Sequence, residues 1–231
     1  MQPAPVRLSV IVPVGRGDQD WRSLLPCLAT LGGDCELLVV AADDQVGPQA
    51  ADALPPLRWL AAPAGRANQQ NAGAAAARGA LLWFLHCDSR PDARALQAAA
   101  SLPASFDALG WFRLGFHDGG PLLALNALGA NLRSRAGLPF GDQGLLLPAA
   151  GFRALGGFDP RLQRGEDLDL VVRARAAGTA LVRLPGTVAT SARRYRDAGW
   201  AATTLRHLWL TATLFRAARR RARRHANAAT R

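Results

Sequence analysis

Short hydrophobic runs alternate with amphipathic segments along the first half of the chain. Most of these runs lack polar alternation, which is typical of strands buried on both faces of a parallel sheet. The segments between them carry apolar residues at helical spacing. The predicted strands are 8–14, 36–40, 57–60 and 81–85, and the predicted helices are 21–31, 68–78 and 92–101. This order predicts an α/β fold with a mostly parallel central sheet flanked by helices.

The second half of the chain is less regular. Its pattern predicts strands at 111–116 and 144–148 and helices near 121–135 and at 167–177. From Trp200 onward, apolar residues recur at helical spacing and then give way to arginines, which predicts one long amphipathic, basic helix. We therefore expect two parts: an α/β domain over residues 1–199 and a C-terminal helix over residues 200–231.

Composition excludes several classes of protein. With 231 residues, 49% of them hydrophobic, the chain can bury a sizeable core and is neither largely disordered nor collagen-like. Three widely spaced cysteines, Cys27, Cys35 and Cys87, support neither a disulfide scaffold nor a zinc site. We see no signal peptide and no run of about 20 apolar residues that would span a membrane. These features predict a cytoplasmic protein.

The positive charge is concentrated at the C-terminal end. All 28 basic residues are arginine; residues 1–192 have 17 of them against 16 acidic residues, whereas residues 193–231 have 11 against Asp197 alone. Such a segment is a solvated helix end, a nucleic-acid arm or a membrane-surface element. We favour contact with an anionic membrane, on the inner face of the cell membrane, because the apolar stripe that includes Trp209 turns basic. Nucleic acid is the less favoured partner.

Acidic residues at predicted strand ends and helix starts are the candidates for chemistry. Asp88 follows a buried strand, where a carboxylate can hold a divalent cation, although it can equally cap the next helix. Asp43 and Asp44 follow the second strand and can bind a ribose or close a loop. Asp167 and Asp169 begin a helix, but two residues apart they point to different sides, so they cannot easily serve one site.

Several ordered motifs resemble those of family 2 glycosyltransferases. The opening strand resembles that family's first strand, the segment from Gly65 to Asp88 resembles its approach to a metal-binding DxD-type motif, and a later block resembles its GGFD and ED.DL motifs. The residues that carry this resemblance are Ser9-Val10-Ile11-Val12-Pro13, Gly65-Arg66-Ala67-Asn68-Gln69-Gln70-Asn71-Ala72-Gly73, Phe84-Leu85-His86-Cys87-Asp88, Gly156-Gly157-Phe158-Asp159 and Gly165-Glu166-Asp167-Leu168-Asp169-Leu170. Two further motifs, Gly141-Asp142-Gln143-Gly144 and Ser191-Ala192-Arg193-Arg194-Tyr195, resemble a small bacterial subgroup, the radical-SAM/selenodomain-associated transferases.

The resemblance implies a GT-A fold and an inverting transfer of sugar from a nucleotide-diphosphate donor to a hydroxyl acceptor, with Mn²⁺ or Mg²⁺ as cofactor. The membrane-surface interpretation of the basic tail would suit a lipid-linked acceptor. The resemblance also implies that Asp88 binds the metal, that Asp167 is the general base and that Glu166 assists it. The implied donor-binding positions are Pro13, Asp43, Asp44, Arg66, Asn71, Arg78, Arg193 and Arg194, and the implied acceptor contacts are Asp142 and Gln143.

The sequence departs from the family pattern at two places. Ala41-Ala42 stands where the family has an acidic residue after the second strand, so Asp43 or Asp44 would have to act from a shifted turn. His86 replaces the first aspartate of the DxD-type motif; it either binds the metal or, as we favour, packs or forms an ordinary hydrogen bond. These departures leave two alternatives: a non-catalytic nucleotide-sugar binding protein, and an interaction protein built on the basic tail.

Overall fold

The computed structural model describes residues 5–42 and 57–229, and the side chains among them except those of Arg194 and of residues 222–229. Eight strands and eight helices are found in this part of the chain. In chain order they are β1 (Leu8–Val14), α1 (Trp21–Leu28), β2 (Cys35–Ala42), β3 (Arg58–Ala62), α2 (Arg66–Ala76), β4 (Leu81–Phe84), β5 (Arg90–Pro91), α3 (Ala93–Ser101), β6 (Leu109–Phe116), α4 (Pro121–Arg135), β7 (Leu146–Pro148), α5 (Ala149–Ala154), α6 (Glu166–Ala176), β8 (Leu181–Thr190), α7 (Arg193–Ala198) and α8 (Trp200–Ala229).

The strands form one mixed sheet in the order β3-β2-β1-β4-β7-β6-β8-β5. The pairs β3–β2, β2–β1, β1–β4 and β6–β8 are parallel, and the short strands β7 and β5 pair antiparallel with their neighbours. The prediction of an α/β fold with a mostly parallel central sheet flanked by helices is confirmed. Parallel strands end at the same edge of a sheet, so the carboxyl ends of β1, β2 and β4 lie together.

Strand β1 shows why the first half was predictable. Its alternate residues face opposite sides of the sheet, yet every one of its seven residues is buried. Val10 and Val12 belong to one hydrophobic core, with Trp83 and Phe112, while Ile11 belongs to a second core on the other side. A strand that is apolar on both faces is therefore required here.

Helix α2 lies very close to β1 in the second core. A Cβ atom added at Gly73 would lie 2.5 Å from Cγ2 of Ile11 and 3.0 Å from Cγ2 of Val40. Only glycine allows the helix to approach the sheet this closely. The contact fixes the distance between α2 and the sheet. It therefore also fixes the position of Arg66, the first residue of α2.

Most predicted elements are present, with shifted ends. The helix predicted over 21–31 ends at Leu28, that over 68–78 runs from Arg66 to Ala76, and β2 continues through Ala42, so Ala41 and Ala42 are buried strand residues rather than a turn. Strand β8 was not predicted, because Pro185 and Gly186 interrupt its apolar run. Its pairing with β6 is correspondingly irregular between Trp111 and Arg113.

Helix α8 packs along α6. Ala218 is buried against Leu168 and Val172, and Leu214 lies so close to Gly165 that a Cβ there would be 2.8 Å from it. The division at residue 199 remains a prediction; in the structure the long helix contacts the preceding part directly. No helix in the described part of the chain is long and apolar enough to cross a bilayer.

Candidate active site

Charged side chains from four parts of the chain meet at the carboxyl edge of the sheet. His86 and Asp88 follow β4, Arg66 begins α2, Asp142 lies in a 3-10 turn before β7, and the acidic pair that begins α6 completes the group. Distant parts of the sequence converge here because parallel strands place all their following loops at one edge.

Asp167 is held as a buried carboxylate. Its Oδ2 accepts a hydrogen bond of 2.6 Å from the backbone N–H of Gly141, and its Oδ1 accepts one of 2.8 Å from that of Leu168. Burial opposes ionisation, but the guanidinium of Arg66 and the Gly141 hydrogen bond hold the pKa of Asp167 below its ordinary value. The positive end of the helix dipole acts in the same direction. Asp167 is therefore ionised at neutral pH.

Gly141 is required by this arrangement. A Cβ atom there would lie 2.9 Å from Oδ2 of Asp167 and 3.0 Å from Nε2 of His86. A side chain at this position would displace the carboxylate or the imidazole. The absence of a side chain thus lets the 3-10 turn donate its N–H directly to Asp167.

Arg66 links the acidic pair to His86. Its Nε donates to Oε1 of Glu166, which is almost fully buried, and its Nη1 lies 3.5 Å from Nε2 of His86. Burial would lower the pKa of Arg66, but the carboxylates of Asp167 and Glu166 raise it, so the guanidinium is permanently charged. A nitrogen that faces a guanidinium is poorly placed to bind a cation, and this contact favours the hydrogen-bonding interpretation of His86.

Asp142 is the one acid of the cluster whose pKa is raised, among the residues described. Burial, together with the nearby charges of Asp167 and Asp88, raises the pKa to about 6, although Arg133 and Arg66 oppose the shift. Its Oδ1 is buried and has no hydrogen-bond partner. An unsatisfied buried carboxylate oxygen is costly and suggests a position that awaits a ligand. The acceptor contact predicted for Asp142 stays a prediction.

Asp88 lies beside the end of β8. The hydroxyl of Thr190 donates a hydrogen bond of 2.9 Å to Oδ2 of Asp88. Thr190 was not predicted as a site residue, since the strand that carries it was not predicted. The only signal in the sequence was its closeness to the Ser191-Ala192-Arg193 motif.

Arg193 reaches the loop that follows β1. Its guanidinium lies 3.1 Å from Oδ2 of Asp20 and 4.0 Å from Oδ2 of Asp18, and it is about half exposed, with 55% of its side-chain surface accessible. The thiol of Cys87 donates to the same Asp18 oxygen at 3.1 Å. Burial and Asp18 raise the pKa of this thiol, so it remains protonated. Arg193 thus lies at the carboxyl edge of the sheet, where its described partners are the carboxylates of Asp18 and Asp20.

Two predicted ligand-binding residues form hydrogen bonds within the protein. Both ends of the Asn71 amide bind the backbone of Phe158, at 2.7 and 2.9 Å. The fully buried Gln143 amide binds Ser134, Asn131 and the backbone of Phe112 and Phe140. The Gln143 amide therefore has no hydrogen-bonding capacity left for a substrate, and the Asn71 amide is fixed on the loop that contains Phe158.

Arg78 lies at the opposite edge of the sheet. It precedes β4, and its Nε donates at 3.0 Å to Glu36, near the start of β2. Glu36 also pairs with Arg58 and accepts from Ser9. The prediction that Arg78 lies along the nucleotide does not agree with this placement, because the other site residues lie at the carboxyl ends of the strands.

The remaining predicted positions are less informative. Pro13 is buried in β1, one residue before the strand ends. Asp43 and Asp44 lie outside the described residues, as does the side chain of Arg194. The expected separation within α6 is observed, since Asp169 faces away from the cluster and binds Arg173 and Arg221, at 2.8 and 2.7 Å.

Comparison with known proteins identifies the fold. No protein-family model and no curated protein sequence matches the chain. Among solved structures, S. aureus TarS has a TM-score of 0.60 at 18% identity, covering 80% of this chain and 60% of TarS. The chain has a GT-A fold.

Two structures with a bound nucleotide sugar also match this fold. TarS in complex with UDP-GlcNAc has a TM-score of 0.60 at 17% identity, covering 78% of this chain and 58% of that one. The mannosyltransferase PcManGT from Pyrobaculum calidifontis, in complex with GDP-Man and Mn²⁺, has a TM-score of 0.61 at 18% identity, covering 83% and 59%. The GT-A fold of this chain thus spans about three fifths of the length of these structures.

Proposed function

We propose that the chain is an inverting glycosyltransferase of family 2, allied to the small bacterial radical-SAM/selenodomain-associated subgroup. The observation that carries the proposal is Asp167: a buried, ionised carboxylate fixed by Gly141 and Arg66 at the carboxyl edge of a GT-A sheet. That neighbours with this fold are complexes with UDP-GlcNAc and GDP-Man supports a nucleotide-diphosphate sugar as donor.

In the proposed reaction, an acceptor hydroxyl attacks the anomeric carbon of the donor sugar. The new C–O bond forms on the face opposite the diphosphate, the bond to the diphosphate oxygen breaks with its electron pair, and Asp167 takes the hydroxyl proton. Glu166 keeps Arg66 beside Asp167. Arg193 and Arg194 are proposed to neutralise the departing nucleoside diphosphate, whose charge grows as the bond breaks.

A divalent cation fits this site only if the donor supplies most of its ligands. No three His, Cys, Asp or Glu side chains converge on one point within the described part of the chain. Mg²⁺ and related ions are commonly held by one or two carboxylates together with substrate phosphates. We propose Asp88 as that carboxylate, with Asp142 and its unpaired oxygen close by. When bound, Mn²⁺ or Mg²⁺ would neutralise the diphosphate.

Nucleotide binding is the first test. Thermal unfolding would be recorded with UDP, GDP, dTDP, CDP and ADP, each with Mn²⁺, with Mg²⁺ and with chelator. A ligand at a hundredfold excess over its Kd stabilises the native state by about 2.7 kcal/mol. A metal-dependent rise in Tm with one nucleotide is expected and names the donor base. No rise with any of them, in folded protein, would contradict the donor site.

Variants then separate binding from transfer. Asp167→Asn should keep the nucleotide-induced rise in Tm and lose transfer by at least about a hundredfold, as expected for a missing general base. Asp88→Ala should lose the metal-dependent part of the rise. Asp107→Asn, an exposed site in the loop before β6, is the matched control. Nucleotide binding without transfer by the wild-type protein, over a broad acceptor panel, would favour a non-catalytic binding protein.

We also propose that α8 contacts the inner face of an anionic cell membrane, with the protein peripheral to it on the cytoplasmic side. Leu205, Leu208 and Trp209 are each about two-thirds exposed. The exposed Arg216 and Arg219 continue the same side of the helix. This arrangement would suit a lipid-linked acceptor. Liposome binding that survives Leu208→Gln with Trp209→Gln would contradict the contribution of α8.

A further inference from the structure

Half of the large exposed hydrophobic side chains in the described part of the chain lie on one helix, α4. Among the described residues, eight large hydrophobic side chains are exposed. Three lie on α8, one is Val182 on β8, and four lie on α4, where we name them the leucine face: Leu122, Leu125, Leu128 and Leu132, all between 53% and 57% exposed. Apolar patches concentrated in this way mark interaction surfaces rather than chance exposure.

The leucine face is a regular stripe on its helix. Its members are spaced by three, three and four residues, so they follow one side of α4. The opposite side is buried, where Asn131 binds the backbone of Leu114. Helices α4 and α8 adjoin, since Asn126 donates to the hydroxyl of Thr204 at 3.0 Å.

A basic groove lies directly beside the leucine face. A cavity of about 740 Å³ opens between the end of α4 and strands β6 and β8, and its lining includes Arg135, Arg175 and Arg183. A second, smaller cavity shares Arg135 and Arg183 with it and adds Arg113, Leu128 and Leu132. We name the two together the arginine groove. One of its walls is cationic and the other belongs to the leucine face.

The charge of the arginine groove is not compensated within the described structure. None of the residues that line either cavity is acidic. Arg113, Arg135 and Arg183 have neither a hydrogen bond nor an ion pair from their side chains to any described residue. Arg175 donates only to the carbonyl oxygens of Ala136 and Gly137. Several unpaired guanidinium groups around one concave surface fit a phosphate, which they can bind through paired N–H donors.

We propose that the arginine groove and the leucine face dock on an anionic phospholipid membrane. The lipid phosphates lie in the groove, and the leucine face enters the boundary between headgroups and acyl chains. Adjoining apolar and cationic walls match an anionic amphiphile better than a free anion or a nucleic acid. A second copy of the chain fits less well, because its own arginine groove would bring further positive charge to a surface that has no acidic lining residue. This surface is separate from the proposed transfer chemistry.

Vesicle flotation tests the proposal with the full chain. Wild-type protein should bind vesicles of phosphatidylcholine with 30% phosphatidylglycerol and should bind pure phosphatidylcholine vesicles much more weakly. The Arg135→Gln, Arg183→Gln double variant should bind the anionic vesicles about 30-fold more weakly, since each arginine near an anionic surface contributes about fivefold. Arg94→Gln with Arg153→Gln removes the same charge from exposed positions on α3 and α5 and is the matched control. It should bind almost as the wild type does.

The apolar part needs its own variant. Leu128→Gln with Leu132→Gln keeps good helix formers on α4 and should weaken vesicle binding by about tenfold or more. Tm values show that each variant is folded, and the nucleotide-induced rise in Tm should be the same in all of them. A lost nucleotide response in the wild type would thus count against the proposed function and not against this docking surface.

Four outcomes would overturn the docking proposal. Equal vesicle binding by the groove variant and the wild type would show that Arg135 and Arg183 do not contact the membrane. Loss of binding in the Arg94, Arg153 control would show that only the net charge of the protein matters. Displacement from vesicles by a few millimolar inorganic phosphate would indicate a site for free anions. A dimer in sedimentation velocity that dissociates in the leucine variant would identify a second copy as the occupant.

Discussion

Replacing Asp142 by asparagine should stabilise the protein at neutral pH. Burial raises the pKa of this carboxyl from its ordinary value of 3.8 to about 6. A raised pKa favours the protonated form in the folded state, so folded-state stability is greatest below pH 3.8 and falls as pH rises towards 6. Each pKa unit corresponds to about 1.4 kcal/mol, so the ionised carboxylate costs the native state about 3 kcal/mol above pH 7. The neutral amide of Asp142→Asn removes that cost.

The assay is thermal and urea unfolding of wild type and variant from pH 4 to pH 8. At pH 7.5 the Tm of Asp142→Asn should be about 6 to 12 °C higher, since about 1 kcal/mol shifts the Tm of a domain of this size by about 2–4 °C. Near pH 4 the two proteins should differ little. Asp107→Asn, at an exposed position, should show no such pH-dependent difference. A variant that is equally or less stable than the wild type at pH 7.5 would refute the reasoning.

Two stability predictions concern the positions of α2 and the loop before α6. Gly73→Ala should lower the unfolding free energy by about 1–3 kcal/mol, because its Cβ would lie 2.5 Å from Ile11, whereas Gly129→Ala, with open space around it, should be neutral or stabilising in the same urea assay. Asn71→Ala should lower the unfolding free energy by about 2–3 kcal/mol, because it leaves the N–H and C=O of the buried Phe158 unpaired. An unchanged urea midpoint would contradict this and would show that water replaces the amide.

The fold was predictable wherever one kind of periodicity dominates. Strands β1, β2 and β4 are apolar on both faces, and the first half of α8 has apolar residues at helical spacing, so their positions followed from the sequence. Strand β8 could not be found in this way. Its Leu181–Thr190 segment contains Pro185 and Gly186, and it is held as a strand by its neighbours β6 and β5 rather than by its own pattern.

The candidate site, too, could be predicted only in part. Asp88 could be placed at the carboxyl edge because it follows a predicted strand, whereas the role of Asp167 came from the resemblance of its motif. Asn71 and Gln143 could not be distinguished from ligand-binding residues, because the sequence does not show which backbone groups must be satisfied inside the fold. For Arg78 a signal existed: it precedes a parallel strand, which places it at the amino edge, away from the site.

Helix α6 connects the proposed chemistry to the proposed membrane contact of α8. Its first turn directs Asp167 towards Gly141, and two residues later Asp169 points the other way, to Arg221 of α8. The same contact region buries Ala218 of α8 against α6, while Trp209 remains exposed on the outer side. A membrane that binds the exposed side of α8 would therefore orient the packed pair of α6 and α8, and with it Asp167, relative to the lipid. A lipid-linked acceptor would then meet the base from a fixed direction.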